Sequence, residues 1–170
     1  MKHARLLSLP ALLLLVMSMW PASLYALPRS GQATPHFKAT STSGQAISLD
    51  NYRGYVLVID FFATWCVPCR ASVPHIVEMN RKYGKQGLQV LGLNVDDEGD
   101  RVTKVFSDEL RINYPLATAS EKVQADFGVR SVPVMFVIDK KGIVAEVYRG
   151  FNDEIGRSME ILIKRLLAEK

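Results

Sequence analysis

The stretch VLVIDFFATWCVPCRASVP, residues Val56–Pro74, joins an apolar, β-branched run to the only two cysteines of the 170-residue chain. Val56, Leu57, Val58 and Ile59 are apolar without alternation, so the segment reads as a strand covered on both faces. Asp60 interrupts the run, Phe61 and Phe62 resume it, and Trp65-Cys66-Val67-Pro68-Cys69 follows directly. Two cysteines spaced C-x-x-C after a strand read as a dithiol/disulfide redox site. A pair this close shuts a very short loop, where a cross-link contributes least to stability. Its presence is better explained by chemistry.

Composition bounds the rest. With 48% apolar and 22% charged residues, the chain is one ordinary globular domain plus a leader. Residues 1–26 carry Lys2, His3 and Arg5, then a mostly apolar run from Leu6 to Trp20, then Ser23-Leu24-Tyr25-Ala26. This pattern reads as a signal peptide or as a retained N-terminal anchor, and either exports the domain to a periplasmic or other extracytoplasmic space. Loss of Lys2 and Arg5 with the leader lowers the formal charge from +4 to +2. Basic residues are not clustered among aromatics, which argues against nucleic-acid binding.

Residues 27–34 read as a polar linker, and 35–170 as the folded domain. Phe37 to Leu49 suggests a hairpin turning at Gly44. A helix follows the cysteines along Ile76, Val77, Met79, Asn80 and Tyr83, ending at Gly84 and Gly87. Leu88–Val95 reads as a second buried strand. Asp96 to Asp100 is an acidic loop, read as the solvated start of a helix rather than a metal site. That helix carries the stripe Val102, Val105, Phe106 and Leu110. Tyr114-Pro115-Leu116 reads as a short strand and Glu121–Phe127 as a short helix. Strands at Pro133–Ile138 and Ile143–Arg149 flank a turn at Asp139–Gly142, and a final helix runs through Ile155, Met159, Leu162, Ile163, Leu166 and Leu167. The order is that of an α/β sandwich with helices on both faces. His36 and His75 match no ligand pattern and read as solvated surface.

The set Phe61-Phe62-Ala63-Thr64-Trp65-Cys66-Val67-Pro68-Cys69-Arg70, Pro74, Tyr114-Pro115, Gly128-Val129-Arg130-Ser131-Val132-Pro133, and Val137-Ile138-Asp139 with Gly142 resembles the thioredoxin superfamily, specifically its exported TlpA/ResA-like branch. The Gly44 hairpin with Leu49, Tyr52 and Gly54 is similar to that branch's N-terminal extension. The resemblance implies a three-layer α/β/α thioredoxin fold with a mixed central sheet and an N-terminal β-hairpin. It also implies a thiol–disulfide oxidoreductase that works without a bound cofactor or metal. Clients would be proteins bearing disulfides or thiols, with apocytochrome c or a copper-assembly protein as the suggested substrate, and electrons would come from a membrane thiol carrier of the CcdA/DsbD type. Two departures stand out. Ser72 replaces the Glu often found three residues after the second cysteine, and Asp60 stands where many members of the branch carry Asn.

Each site residue has an expected role. Cys66, at the helix start, is the candidate nucleophile, its thiolate favoured by unpaired N–H groups and the dipole. Cys69, one turn on, is the resolving thiol. Asp60 is the proton acceptor, or else a partly exposed structural carboxylate. Trp65, Val67 and Pro68 line the substrate contact surface; Pro68 suits the first helical turn, and Trp65 is alternatively core. Pro133 resembles the family's cis-proline, which would free the backbone of Val132 to pair with an extended client strand. The absence of His between the cysteines favours a reductase. A disulfide-forming oxidase and a polypeptide-binding module with little redox turnover are the alternatives. A peroxidase of the peroxiredoxin type is disfavoured because its cysteine motif is absent.

Overall fold

The computed structural model describes residues 27–169, so the leader assigned to 1–26 lies outside the described residues. Strand β3, Val56–Phe62, is buried at all seven positions, as the apolar residues at every position but Asp60 require. It lies at the centre of a five-stranded sheet of order β5-β4-β3-β6-β7. β4 (Leu88–Asn94) and β5 (Leu116–Thr118) run parallel to it, whereas β6 (Val134–Ile138) runs antiparallel to β3 and β7 (Val144–Arg149) antiparallel to β6. A separate two-stranded hairpin, β1 (Lys38–Thr40) and β2 (Ala46–Ser48), turns through Gly44 at φ +86°.

Alternation along β3 sends its side chains into two core layers. Val56, Val58 and Phe62 join Val73 and Ile76 of α1 (Val67–Tyr83), Phe106 of α2 (Asp100–Leu110), and Met159 and Ile163 of α4 (Asp153–Ala168). Leu57, Ile59 and Phe61 face the other layer, with Phe37, Ile47 and Leu49 of the N-terminal region and Val123 of α3 (Glu121–Asp126). There the rings of Phe61, Phe127 and Phe136 lie 5.2–5.9 Å apart in tilted and edge-on pairs. Fully burying each such side chain contributes about 1.5–3 kcal/mol, so both faces anchor the strand that leads to the cysteines.

Four expectations change. β5 begins at Leu116 rather than Tyr114, because Pro115 has no N–H for the ladder and contributes only its carbonyl, which accepts from Gly92 N–H. α2 buries Thr103 and Phe106 and leaves Val105 exposed. The helix is rotated onto Thr103, whose Oγ1 lies 2.6 Å from Asn94 Nδ2 and 3.0 Å from the Gly99 carbonyl. Residues 27–34, expected to be a linker, are tied to the sheet edge. Gly31 N–H donates to the Val144 carbonyl, Thr34 N–H to that of Gly142, and Ala33 bridges Ile143. His75 is packed rather than solvated: its ring meets Phe151 and approaches the backbone of Gly156 in α4.

Candidate active site

β3 ends at Phe62, and Ala63–Trp65 lead to Cys66, which caps α1. Val67 and Pro68 occupy the first helical positions, where a missing proline N–H costs nothing. Cys66 and Cys69 are joined by a disulfide with Cα atoms 5.2 Å apart. Cys69 N–H donates to Cys66 Sγ at 3.2 Å, so the helix start points a donor at the sulfur that would carry negative charge when reduced. Cys69 is fully buried, and Cys66 keeps only 4% of its surface in solvent. Cys66 is thus less open than a helix-start thiol is expected to be, yet it is the only sulfur with an outlet.

Around that outlet the side chains are apolar and exposed. Trp65 is 71% and Val67 76% exposed, and Pro68 is exposed as well. A core role for Trp65 is excluded. Behind the dithiol, Pro74 sits inside α1, leaving the Arg70 carbonyl without its helical donor. Ser72 is buried, and its Oγ donates to the Cys69 carbonyl at 2.9 Å. Its hydroxyl is committed to the helix and is not a substitute for a glutamate.

Asp60 is fully buried, and neither carboxylate oxygen has a hydrogen-bond partner. The alternation of β3 turns it into the same layer as Cys69, between Val58 and Phe62. Burial pushes its carboxyl up to about 7, because nothing compensates the lost hydration of the charge. The partly exposed alternative for Asp60 is therefore excluded.

On the other side of β3, β6 pairs Val134 with Phe61, which sets Pro133 level with the residues leading to Cys66. The Val132–Pro133 peptide bond is cis. The Pro133 carbonyl accepts from Gly150 N–H, while the N–H and carbonyl of Val132 make no backbone hydrogen bond among the described residues.

Sequence reasoning missed a second polar cluster. Asp96, placed in a solvated acidic loop, is 6% exposed. Its Oδ2 accepts from both Thr64 N–H and Thr64 Oγ1, two residues before Cys66. Arg70 reaches the Thr64 carbonyl from the opposite side, pairs with Glu109 and stacks over the Phe106 ring. The available signal was the polar Asn94-Val95-Asp96 end of an otherwise apolar strand. Among the described residues no group of three or more His, Cys, Asp or Glu side chains is gathered as a metal site.

Comparison with known proteins places this geometry. Residues 30–147 match the AhpC/TSA family. The thiol–disulfide oxidoreductase ResA of Geobacillus kaustophilus is 31% identical over 133 residues, 76% of either chain. ResA of Bacillus thuringiensis is 30% identical over 137 residues, 80% of this chain and 78% of that one. A Chlorobium tepidum structure assigned as the thiol:disulfide interchange protein DsbE superposes with a TM-score of 0.78 at 28% identity, over 84% of this chain and all of that one. With the fold, the paired cysteines and these relatives in agreement, the chain belongs to the thioredoxin-like AhpC/TSA family, as a thiol–disulfide oxidoreductase of the ResA/DsbE type.

Proposed function

We propose that this oxidoreductase is an exported protein-disulfide reductase. The observation that carries the reading is the buried, unpartnered Asp60 in the layer of a fully buried Cys69, beside a Cys66 with the single outlet to solvent. In the reduced enzyme, the Cys66 thiolate attacks a client disulfide, forming a mixed disulfide and expelling one client thiolate, which takes a proton from solvent. Cys69 then passes its proton to the Asp60 carboxylate and attacks Cys66 Sγ. The second client sulfur leaves as a thiolate and is protonated, so the client gains two electrons and Cys66–Cys69 closes as the disulfide. A carboxyl near 7 suits this transfer at neutral pH.

Trp65, Val67 and Pro68 would form the apolar contact surface, and the free backbone of Val132 beside cis-Pro133 would pair with an extended client segment. Residues 1–26 would act as a signal peptide or anchor that delivers the domain outside the cytoplasm. A membrane thiol carrier of the CcdA/DsbD type would return the enzyme to the dithiol, and its clients would belong to cytochrome c maturation or copper-site assembly. The test is Cys69→Ser in the exporting host. It should accumulate a client joined through Cys66 that reducing agent releases, whereas recovery without any adduct would contradict the scheme.

A further inference from the structure

Between α1 and α2, beside the dithiol, lies an open groove of about 350 Å³. Its floor is the buried ring of Phe106. One wall is the Arg70 guanidinium, whose Cζ lies 5.4 Å from the centroid of that ring. Arg70 pairs with Glu109 and donates to the Thr64 carbonyl at 3.4 Å, so this wall is held in place and its charge is already matched. Thr64 also lines the groove and is followed directly by the exposed Trp65 and by Cys66. The groove therefore continues the apolar surface around the outlet of the dithiol.

The opposite wall comes from the first turns of α2. Thr103, buried against Asn94 and the Gly99 carbonyl, fixes the rotation of that helix. The rotation turns Arg101, Val102 and Val105 to the groove and leaves Val105 64% exposed. Arg101 is exposed and has no ion-pair partner among the described residues. The neighbouring Asp100 accepts from Thr118 Oγ1 instead. Two cations and one carboxylate thus line the groove, leaving one positive charge above an apolar floor. A single unmatched cation is too little for a lipid surface or a nucleic-acid backbone, and one carboxylate on an apolar segment satisfies it.

We propose that this groove docks the client segment flanking the reacting cysteine, and that it selects an apolar residue, seated against Val102, Val105 and Phe106, close to an acidic residue paired with Arg101. The inference rests on Cys66 being the thiol that captures the client. A chain joined to Cys66 must lead away across this surface, and four extended residues reach about 13–14 Å. Side chains within that span meet the groove, and their chemistry adds specificity to whatever the client backbone contributes.

Disulfide-linked dimers of a nine-residue peptide with one central cysteine test the proposal in single turnovers of the pre-reduced enzyme. Cys66 attacks one peptide sulfur and expels the other copy as a thiolate, which takes a proton. Cys69 then closes on Cys66 Sγ and releases the second copy, so two electrons pass to the peptides. The peptides carry Leu and Glu, or Leu and Lys, within four residues of the cysteine, on its N-terminal or its C-terminal side in separate pairs. On one side the Glu peptide should react roughly fivefold to tenfold faster than the Lys peptide at low salt, and the ratio should shrink as salt is added. Arg101→Glu should invert the ratio. Lys104→Glu makes the same charge change on α2 outside the groove and should leave the ratio above one. Val105→Ser should erase most of the advantage of Leu over Ala in the same peptide, roughly threefold. Equal rates for Glu and Lys peptides on both sides, or an inversion by Lys104→Glu as large as that by Arg101→Glu, would overturn the groove while leaving Cys66 as the capturing thiol. A parent protein that reduces neither the peptides nor bis(2-hydroxyethyl) disulfide would overturn both readings.

Discussion

Both donors of Thr64, its backbone N–H and its hydroxyl, converge on Oδ2 of Asp96, at 3.0 and 2.7 Å. Asp96 N–H in turn donates to Asn94 Oδ1 at 3.0 Å, so the end of β4 is knitted to the segment that delivers Trp65 and Cys66. A loop that must hold an exposed Trp65 in place gains its rigidity from this buried acceptor. Asp96→Ala deletes two hydrogen bonds to a charged group and orphans the Thr64 N–H. It should destabilise the protein by about 2–4 kcal/mol and speed hydrogen exchange at the Thr64 amide. Unchanged stability and exchange in that variant would show that the loop is held by Arg70 and packing alone.

Little of that clamp was legible in the sequence, whereas the strand before it was. Val56–Phe62 announces itself because a strand buried on both faces needs apolar residues at nearly every position, and the exception at Asp60 marks a carboxylate carried into the core. Local signals also located the Gly44 hairpin and the turn at Asp139–Gly142, where Asp139 Oδ1 accepts from the N–H groups of Lys141 and Ile143. Asp96 looked solvated because its partner Thr64 is 32 positions away. His75 looked solvated because the contact that covers it comes from Gly156, on the last helix. The Val105 stripe failed because a buried threonine with two polar partners outweighed a valine on the same helix. Cis-Pro133 was expected from the resemblance alone, since spacing carries no information on peptide isomers.

Asp60→Asn should raise stability, and the gain should depend on pH. The folded carboxyl titrates near 7 and the unfolded one near 3.8. Stability from this residue is therefore full below about 4 and is lost as pH rises to 7. Asparagine removes that loss, which amounts to on the order of 3–5 kcal/mol. Denaturant unfolding should show Asp60→Asn and the parent nearly equal at pH 4 and well separated at pH 8. A gain that is the same at both pH values would mean that Asp60 does not titrate as its burial requires.

The same substitution should slow the chemistry. Capture of a disulfide by Cys66 should survive, while resolution by Cys69 should fall by the ~10²–10⁴-fold associated with a lost general base. Rapid-quench analysis of the mixed disulfide reads both steps. Resolution at the parent rate would make Asp60 structural.

Labelling should separate the two thiols. In the reduced protein, iodoacetamide near pH 7 should modify Cys66 faster than the fully buried Cys69, by roughly tenfold or more. Faster labelling at Cys69 would reverse their roles.

Gly156 is a packing requirement of α4. A Cβ there would lie 2.7 Å from His75 Nε2 and 3.0 Å from two further ring atoms. Gly156→Ala should cost about 1–3 kcal/mol through overpacking, against which helix propensity returns at most ~1 kcal/mol. Thermal unfolding of Gly156→Ala alone and combined with His75→Ala checks the cause, because removing the ring should abolish the penalty.

The reductase reading itself is tested most directly by equilibrating the Cys66–Cys69 couple with glutathione buffers and measuring its reduction potential. A reductase needs a couple that gives up electrons readily, and the absence of a histidine between the cysteines leaves no positive charge to favour the thiolate form further. We expect a value nearer to thioredoxin's, roughly −270 mV, than to DsbA's, about −120 mV; the ~150 mV between them is roughly 7 kcal/mol for two electrons. A potential above about −160 mV would contradict the account and make the protein a disulfide-forming oxidase.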